Sequence, residues 1–346
     1  MNGKRAPALL LLCLVSTLSM ASACAPAEAP AAGGETPEGV NLTFVGIAAG
    51  SSMQLKADAI AESVRLEHPE WTVTSMASGG EARLIEKRIA GEADFYFSTS
   101  FRELEVPVFA PLHPDIDFEA ATAYSIVMPS SRAYVQMFAL GQTGLTVPAD
   151  IVERKYPFTL GCGAGIMRTL FGRILEYYGA GLEESEAWGA KYETMIATSP
   201  ESVESLQAGR TDMGFTFGSM PSPALLGATF KLRYLPLSDP GLVQMLEGYG
   251  CVPAVIPMSM YSFLTADVPT VMTTESLVAR PDIPDDVVYQ VCAAIFAHLD
   301  VLAAAHPSAT VLLTPEDIAS AVALAERNNE PYHPGALRYY RDRGWI

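Results

Sequence analysis

Two glycine-rich segments have the residue types and spacing that best suit ligand chemistry in this sequence. They are Gly46-Ile47-Ala48-Ala49-Gly50-Ser51-Ser52 and Gly161-Cys162-Gly163-Ala164-Gly165. Each follows an apolar run typical of a strand and precedes apolar residues at helical spacing. A glycine turn between a strand and a helix leaves backbone N–H groups open to a ligand, and a helix N-terminus favours a negative one. The pair therefore predicts a binding site for a small anion.

Further candidate ligand contacts are hydroxyls, glycines and aromatic side chains at predicted strand ends and turns. The whole predicted site consists of Gly50, Ser51, Ser52, Ser78, Gly79, Gly80, Ser98, Thr99, Tyr134, Cys162, Gly163, Ala164, Gly165, Arg168 and Phe217. Serine and glycine also populate turns for local reasons. Tyr134 and Phe217 would wall the cleft, although packing in a core is the commoner fate of aromatic residues. Both interpretations stay open.

Two of these residues invite specific chemistry. Arg168 stands in the first turn of a predicted helix, where the helix dipole disfavours a cation. A bidentate hold on a ligand carboxylate is one interpretation, and a solvated surface arginine is the other. Cys162 at a helix N-terminus is expected to have a lowered thiol pKa, but no histidine can be placed beside it as a base. Catalysis is therefore not predicted.

Cofactor and metal motifs are missing from the sequence. Neither glycine segment continues into Gly-Lys-Ser/Thr or spells G-x-G-x-x-G, which argues against a P-loop and a dinucleotide site. No CxxC or Cys/His spacing supports zinc. We expect no cofactor and no metal.

The elements around the two turns follow the same order twice. Each set comprises a strand, a glycine turn, a helix, a strand, a second helix, an A-G-x-x-D segment and a further strand. The A-G-x-x-D segments, 90–94 and 208–212, lie 118 positions apart, and the glycine turns start 115 apart. Such alternation predicts two α/β lobes with mainly parallel sheets, which bind ligands at the carboxyl ends of their strands.

Composition and charge limit the class of protein. The chain has 346 residues, 49% of them apolar, which is enough for two lobes with substantial cores. Its formal net charge of −17 argues against nucleic acid and against an anionic membrane surface as partners. Cys162, Cys251 and Cys292 allow either one disulfide or three buried thiols.

The N-terminal residues predict export. Residues 1–23 have a basic start, an apolar run and the small residues Ala21-Ser22-Ala23, as a signal peptide has. Cys24 follows, and Ala-Ser-Ala-Cys is similar to a bacterial lipoprotein box in which the cysteine carries the lipid anchor. Ordinary cleavage after Ala23 is the alternative. Residues 24–40 are of low complexity and predict a flexible tether. The expected location is periplasmic or otherwise extracytoplasmic.

Segments spread along the chain resemble one known family, the TAXI solute receptors of tripartite ATP-independent periplasmic (TRAP) transporters. The segments that carry the resemblance are Gly79-Gly80, 90–94, 161–165, 175–179, 209–212, 217–223, 235–238, Ile256-Pro257, Tyr261, 267–271, 277–280, 283–289 and the closing His333-Pro334-Gly335-Ala336-Leu337-Arg338-Tyr339-Tyr340. The resemblance covers roughly residues 41–346. It implies a type II periplasmic binding protein fold, with α/β lobes joined by crossing strands. Lobe 1 would comprise 41–138 and 266–346, and lobe 2 would comprise 139–265.

The same resemblance implies a function. The chain would be a receptor, not an enzyme, that captures a small organic anion (an amino acid such as glutamate, or a carboxylate) and delivers it to the membrane permease of a TRAP transporter. Two departures leave the solute open. Met53-Gln54 and Lys56-Ala57 stand where the family has an aromatic pair and glycine, and Ala164-Gly165-Ile166 stands where it has Ser-Gly-Thr. The alternatives are the binding subunit of an ABC importer, a sensor on the same fold, and an extracellular hydrolase.

Overall fold

The computed structural model describes residues 39–99, 102–327 and 329–346, and the side chains of residues 102 and 103 are left aside. The predicted signal peptide, Cys24 and nearly all of the predicted tether lie outside the described residues. Among the described residues no single helix is long and apolar enough to cross a membrane. Two consecutive helices, Asp285–Ala297 and Leu299–Ala305, reach that length and composition only together, across a bend of 71°.

The described strands belong to one mixed sheet. They are β1 (Asn41–Gly46), β2 (Thr72–Ala77), β3 (Phe95–Thr99), β4 (Ser125–Leu140), β5 (Thr159–Cys162), β6 (Lys191–Thr194), β7 (Met213–Gly218), β8 (Leu232–Tyr234), β9 (Val252–Ile256) and β10 (Val268–Ala279). Their order is β2-β1-β3-β10-β4-β7-β5-β6, with β8 on β4 and β9 on β10.

Helices connect these strands and cover the sheet. They are α1 (Ser52–Glu67), α2 (Glu81–Ile89), α3 (Arg102–Phe109), α4 (Phe118–Ala121), α5 (Ala149–Glu153), α6 (Ile166–Tyr177), α7 (Leu182–Ala187), α8 (Pro200–Gln207), α9 (Pro223–Leu226), α10 (Pro240–Glu247), α11 (Asp285–Ala297), α12 (Leu299–Ala305), α13 (Pro315–Arg327) and α14 (Pro334–Asp342). Local signals explain several of their starts. Ser199, for example, caps α8 by accepting from the Ser202 N–H, with Pro200 as the first helical residue.

The predicted internal repeat is visible in the sheet. We call β1, α1, β2, α2 and β3 the first repeat, and β5, α6, β6, α8 and β7 the second repeat. The first has the order β2-β1-β3 and the second β6-β5-β7, with parallel pairing in both. The prediction of parallel strands is confirmed for the repeats. It is wrong for the centre, where the long strands β4 and β10 run antiparallel to each other and to their neighbours β7 and β3.

The A-G-x-x-D segments hold equivalent places in the two repeats. Asp94 accepts the Thr43 N–H on Oδ2 at 2.8 Å, and Asp212 accepts the Thr159 N–H on Oδ1 at 2.8 Å. The backbone N–H of each aspartate donates in turn to the carbonyl of the same threonine. Partial burial raises the pKa of both carboxyls. Each aspartate thus joins the strand that follows it, β3 or β7, by hydrogen bonds to the strand that leads into the glycine turn, β1 or β5.

Separate apolar cores support the repeats. Helix α1 packs Ile60 and Val64 into a core with Phe44 of β1, and α11 and α14 complete that core. Helix α6 packs Leu170 into another core. Helix α3 follows the first repeat in the chain, yet its Phe109 belongs to the core of α6. The chain therefore passes from one core to the other directly after β3.

Candidate functional site

The first glycine turn is closed by its own residues. Ser51 is the N-cap of α1, and its hydroxyl accepts the Gln54 N–H at 3.3 Å. Gly50 has φ +75, a conformation that glycine adopts without strain. The next residue, Ser52, accepts a hydrogen bond on its hydroxyl from Ser219 at 3.0 Å. Because Ser219 directly follows β7, this bond joins the first turn to the second repeat.

The Ser78–Gly80 turn lies beside the first glycine turn, but its donors do not face a ligand. The N–H groups of Gly79 and Gly80 both donate to the Ile47 carbonyl, at 2.7 and 3.0 Å. The Ser78 hydroxyl lies 3.1 Å from the same carbonyl oxygen. In this structure these groups form hydrogen bonds inside the first repeat, and their contact with a ligand stays a prediction. They tie two turns of the first repeat together.

The second glycine turn is closed from outside. Gly165 is the N-cap of α6, has φ +74 and offers no side chain. The Ile166 N–H donates instead to Oε2 of Glu81, the first residue of α2, at 3.0 Å. A Cβ at Gly165 would lie 2.8 Å from this oxygen and 2.8 Å from the Phe109 ring, so glycine alone fits. A carboxylate of the first repeat therefore occupies the N-terminus of a helix of the second.

Glu81 sits in an unusual electrostatic environment for a carboxyl. Burial raises its pKa from 4.5 to about 8, the Ile166 hydrogen bond opposes that shift, and the negative charge of Glu105 adds to it. The nearby Arg88 does not neutralise Glu81, because its guanidinium forms two hydrogen bonds to Glu105, at 2.7 and 3.1 Å. Arg88 also lies over the Tyr96 ring at 4.8 Å. Its charge is therefore paired with Glu105 of α3 rather than with Glu81.

A small cavity of about 40 Å³ lies where the repeats meet. Glu81 and Ile166 line it, together with three residues of the predicted site, Ser98, Thr99 and Phe217. A volume of this size holds about one or two water molecules, whereas pockets for small organic ligands measure roughly 300–1,000 Å³. The repeats are closed on each other here, largely around the Glu81 side chain.

A larger groove of about 700 Å³ lies between the loop Glu247–Gly250 and residues 329–332, over β4 and β10. Sequence reasoning did not predict it. Ser98 and Thr99 line this groove as well as the small cavity, which places the end of β3 between the two.

Arg168 does not reach the small cavity. Its guanidinium donates to the exposed Thr194 hydroxyl at 3.1 Å and lies 5.3 Å from the centre of the Tyr192 ring. Both partners, Tyr192 and Thr194, belong to β6. The structure therefore holds this arginine within the second repeat, on a partly exposed side of α6. Its proposed hold on a ligand carboxylate stays a prediction.

Cys162 is fully buried at the end of β5. Burial raises the pKa of its thiol, and the nearby Arg168 only partly opposes that effect. The expectation of a lowered thiol pKa is wrong, because the loss of solvent around the buried thiol outweighs the effect of the nearby Arg168. Cys162, Cys251 and Cys292 are all unpaired and buried, which decides against a disulfide among them.

The remaining predicted residues lie in varied surroundings. Ala164 is exposed in the second turn. A Cβ at Gly163 would lie 2.8 Å from the Met167 sulfur, so a side chain there requires Met167 to move. Tyr134 pairs with Met272 and Gly218 inside the sheet and packs against an apolar core. The part of the chain that the structure describes contains no group of three or more metal-ligating side chains.

Sequence reasoning missed Glu81. An acid in the first turn of a helix is ordinary, because it complements the dipole of its own helix. Nothing in the local pattern shows that this acid serves a helix 85 positions further along the chain. The only signal was indirect, since the second turn lacks a serine or threonine that could cap α6.

The chain is similar to one protein family and to several solved structures. The model of the NMT1-like family matches residues 116–344. A solved structure described as a periplasmic transporter aligns over 84% of this chain and 98% of its own, with 14% identity and a TM-score of 0.50. The periplasmic binding protein BugD aligns over 86% and 100%, with 13% identity and a TM-score of 0.49. No curated protein sequence matches. The first structure supports a two-lobe periplasmic binding protein fold.

Proposed function

This chain belongs to the NMT1-like family, and from that premise we propose that it is an exported solute-binding receptor of a membrane transporter. The observation that carries the proposal is that each glycine turn makes a hydrogen bond to the opposite repeat near one small cavity. Ser52 contacts Ser219, and Glu81 contacts Ile166, so each turn touches the opposite repeat. In sheets of this kind the carboxyl ends of parallel strands are where ligands bind. Two lobes that separate and close around this point would trap a solute between them.

We propose a small organic anion as the solute, an amino acid such as glutamate or a carboxylate. The Ile166 N–H at the N-terminus of α6 already donates to one carboxyl oxygen, that of Glu81, which supports an acid group as its partner. The predicted contacts Ser98, Thr99 and Phe217 line the same cavity. The remaining predicted contacts are proposals on the sequence pattern alone.

A thermal-shift screen of the exported protein tests the solute class. L-glutamate, succinate and ethanesulfonate represent the anions, and glucose and putrescine represent the competing classes. A solute at about 100 times its Kd adds about 2.7 kcal/mol to the free energy of unfolding and raises the Tm. We expect a shift with at least one anion. A clear shift with glucose or putrescine and none with any anion would overturn the proposed class.

We propose that the transporter is of the TRAP type, on the resemblance of 41–346 to its TAXI receptors, and that a possible lipid anchor at Cys24 holds the receptor near it. An ABC importer is the second candidate, since the family match leaves the transporter class open. The neighbouring gene separates them. A gene for a fused permease supports the first candidate, and a gene for an ATPase supports the second.

A hydrolase fits the site less well. Its nucleophile would be Cys162, and a buried thiol with a raised pKa is protonated at neutral pH. Turnover of an ester or amide that is lost in Cys162→Ala would contradict the proposal of a receptor.

A further inference from the structure

Two hydrogen bonds join the repeats near the small cavity, and they differ in chemistry. Ser52 and Ser219 share a bond between hydroxyls on neighbouring surfaces. The Ile166 N–H instead donates to a carboxyl oxygen of Glu81. Ile166 lies at the N-terminus of a 12-residue helix, where the helix dipole favours negative charge. An acid group from a solute would make the same hydrogen bond at the same place. The single Ile166 N–H cannot donate a linear hydrogen bond to both acids at once.

We infer that the Glu81 carboxyl competes with the acid group of the solute for the N-terminus of α6, and that it holds the two repeats together until a solute displaces it. The competition rests on the proposed function, because it requires a solute with an acid group. The closing contact itself rests only on the position of Glu81 opposite Ile166.

The surroundings of Glu81 favour a contact that can be released. Glu81 lies at the start of α2 and keeps some exposure to solvent, although its surroundings desolvate the carboxyl enough to raise its pKa. It lines a cavity of only about 40 Å³. A solute of several carbon atoms fits only when the repeats move apart or Glu81 leaves. Displacement by a solute acid replaces the Glu81 carboxyl, whose raised pKa of about 8 keeps it protonated at neutral pH, with a carboxylate that the dipole of α6 favours.

Closure around Glu81 is also coupled to a proton. Burial places the pKa of Glu81 at about 8, above its ordinary 4.5, and separation of the repeats would return it toward that value. Between these pH values the closed form binds more protons than the open form, so rising pH favours opening. The groups that face Glu81 are Glu105 on α3, Arg88 on α2 and Cys162 on β5.

Small-angle X-ray scattering of the exported protein, without added solute, tests the closing contact. We expect Glu81→Ala to have a larger radius of gyration than the wild type at pH 6.5. Glu81→Gln retains an oxygen acceptor and should stay compact. Glu86→Ala removes an exposed acid from the same helix and is the matched control. Equal radii for the wild type and Glu81→Ala would overturn the inference.

Two further measurements test whether the opening comes from the loss of the hydrogen bond between Glu81 and Ile166. Ile166→Pro removes the donor instead of the acceptor, at the first position of α6 where proline is tolerated. It should open the protein as Glu81→Ala does, provided that circular dichroism shows a folded chain. The wild type should also expand as the pH rises from 6.5 to 9, and Glu81→Gln should not. A compact Ile166→Pro variant, or equal pH responses of wild type and Glu81→Gln, would contradict the role of Glu81.

Binding of the acids from the thermal-shift panel tests the competition. An acid that binds the wild type should bind Glu81→Ala about tenfold more tightly, because no internal carboxylate has to be displaced. Its Kd for Glu86→Ala should not change. Equal or weaker binding to Glu81→Ala would overturn the competition. If no acid binds any variant, the proposed solute class fails, and the scattering data still decide whether Glu81 closes the protein.

Discussion

The two repeats share a strand framework and differ at the helix that follows each glycine turn. In both, an aspartate fastens the strand before the turn through the backbone of a threonine. After the turns they diverge. The first helix is capped by its own Ser51, whereas the second begins at a bare Gly165 and receives Glu81 from the other repeat. One helix start is self-sufficient, and the other depends on a partner across the cavity.

The chain lengths of the turns explain part of this difference. Thr43 and Thr159 occupy equivalent places 116 positions apart, whereas the N-cap residues Ser51 and Gly165 are 114 apart. The second turn is therefore shorter by two residues. The longer first turn can present a serine in extended conformation as a cap. The shorter turn reaches its helix only through a glycine with φ +74, where a side chain is strained.

A second difference lies further along the helices. Lys56 follows Ser51 by five positions, and Leu170 follows Gly165 by five. Lys56 is buried and pairs with Glu275 of β10, with further hydrogen bonds to Ser130 and Ser131 of β4, each at 3.0 Å. Leu170 is buried among apolar residues. The first repeat is thus joined to the crossing strands by an ion pair, and the second by apolar packing.

Removal of the buried lysine should have the largest effect. Lys56→Met leaves Glu275 buried without its cation, and we expect a loss of about 3–5 kcal/mol in the free energy of unfolding. Urea denaturation measures it. Leu170→Met at the equivalent place should cost less than about 1.5 kcal/mol. Replacement of both Lys56 and Glu275 by methionine should recover most of the loss. Equal effects at the two positions would show that the ion pair does not distinguish the repeats.

The two glycines with nearly equal φ should respond unequally to alanine. The Cβ of Gly50→Ala would lie in open space. This variant should therefore lose only the free energy that alanine needs to adopt the left-handed conformation, about 1–2 kcal/mol. Gly165→Ala has the same cost, and its Cβ would also collide with Glu81 and Phe109. Overpacking of this kind adds about 1–3 kcal/mol. Denaturation of the two variants side by side checks the order. A smaller loss at Gly165 would mean that the repeats are not packed against each other in solution.

The shared framework predicts similar losses at the two aspartates. Asp94→Ala and Asp212→Ala each leave a threonine N–H without its acceptor, and each should cost about 1–3 kcal/mol. Each variant also loses one further partner, the Arg280 guanidinium at 3.0 Å for Asp94 and the Tyr156 hydroxyl at 2.9 Å for Asp212, so the two losses should stay similar. Thermal unfolding of both variants measures the difference. A negligible effect at one position would break the structural equivalence of the A-G-x-x-D segments.

The sequence predicted those features that depend on neighbouring residues. The strands before the turns, the helices after them and the repeat itself follow from local patterns and were found where expected. The second strand predicted for the later set, for example, is β6 at Lys191–Thr194. The antiparallel centre was not predicted, because β4 and β10 pair across 138 to 154 positions, from Met272 with Tyr134 to Ala279 with Ser125. Glu81 was missed for the same reason, since its partner lies in the other repeat.

The smallest expected effect tests whether the self-made cap matters. Ser51→Gly would make the first turn resemble the second, and it should cost only a few tenths of a kcal/mol, since glycine is itself an acceptable N-cap. Ser51→Ala should cost about 1 kcal/mol, because alanine neither caps the Gln54 N–H nor leaves it open to water as glycine does. Chemical denaturation of both variants gives the difference. Ser51→Gly and Glu81→Ala could lower the free energy of unfolding by the same amount. The start of the first helix would then depend on its side-chain cap as the second does. The two turns would differ only in which repeat supplies the cap.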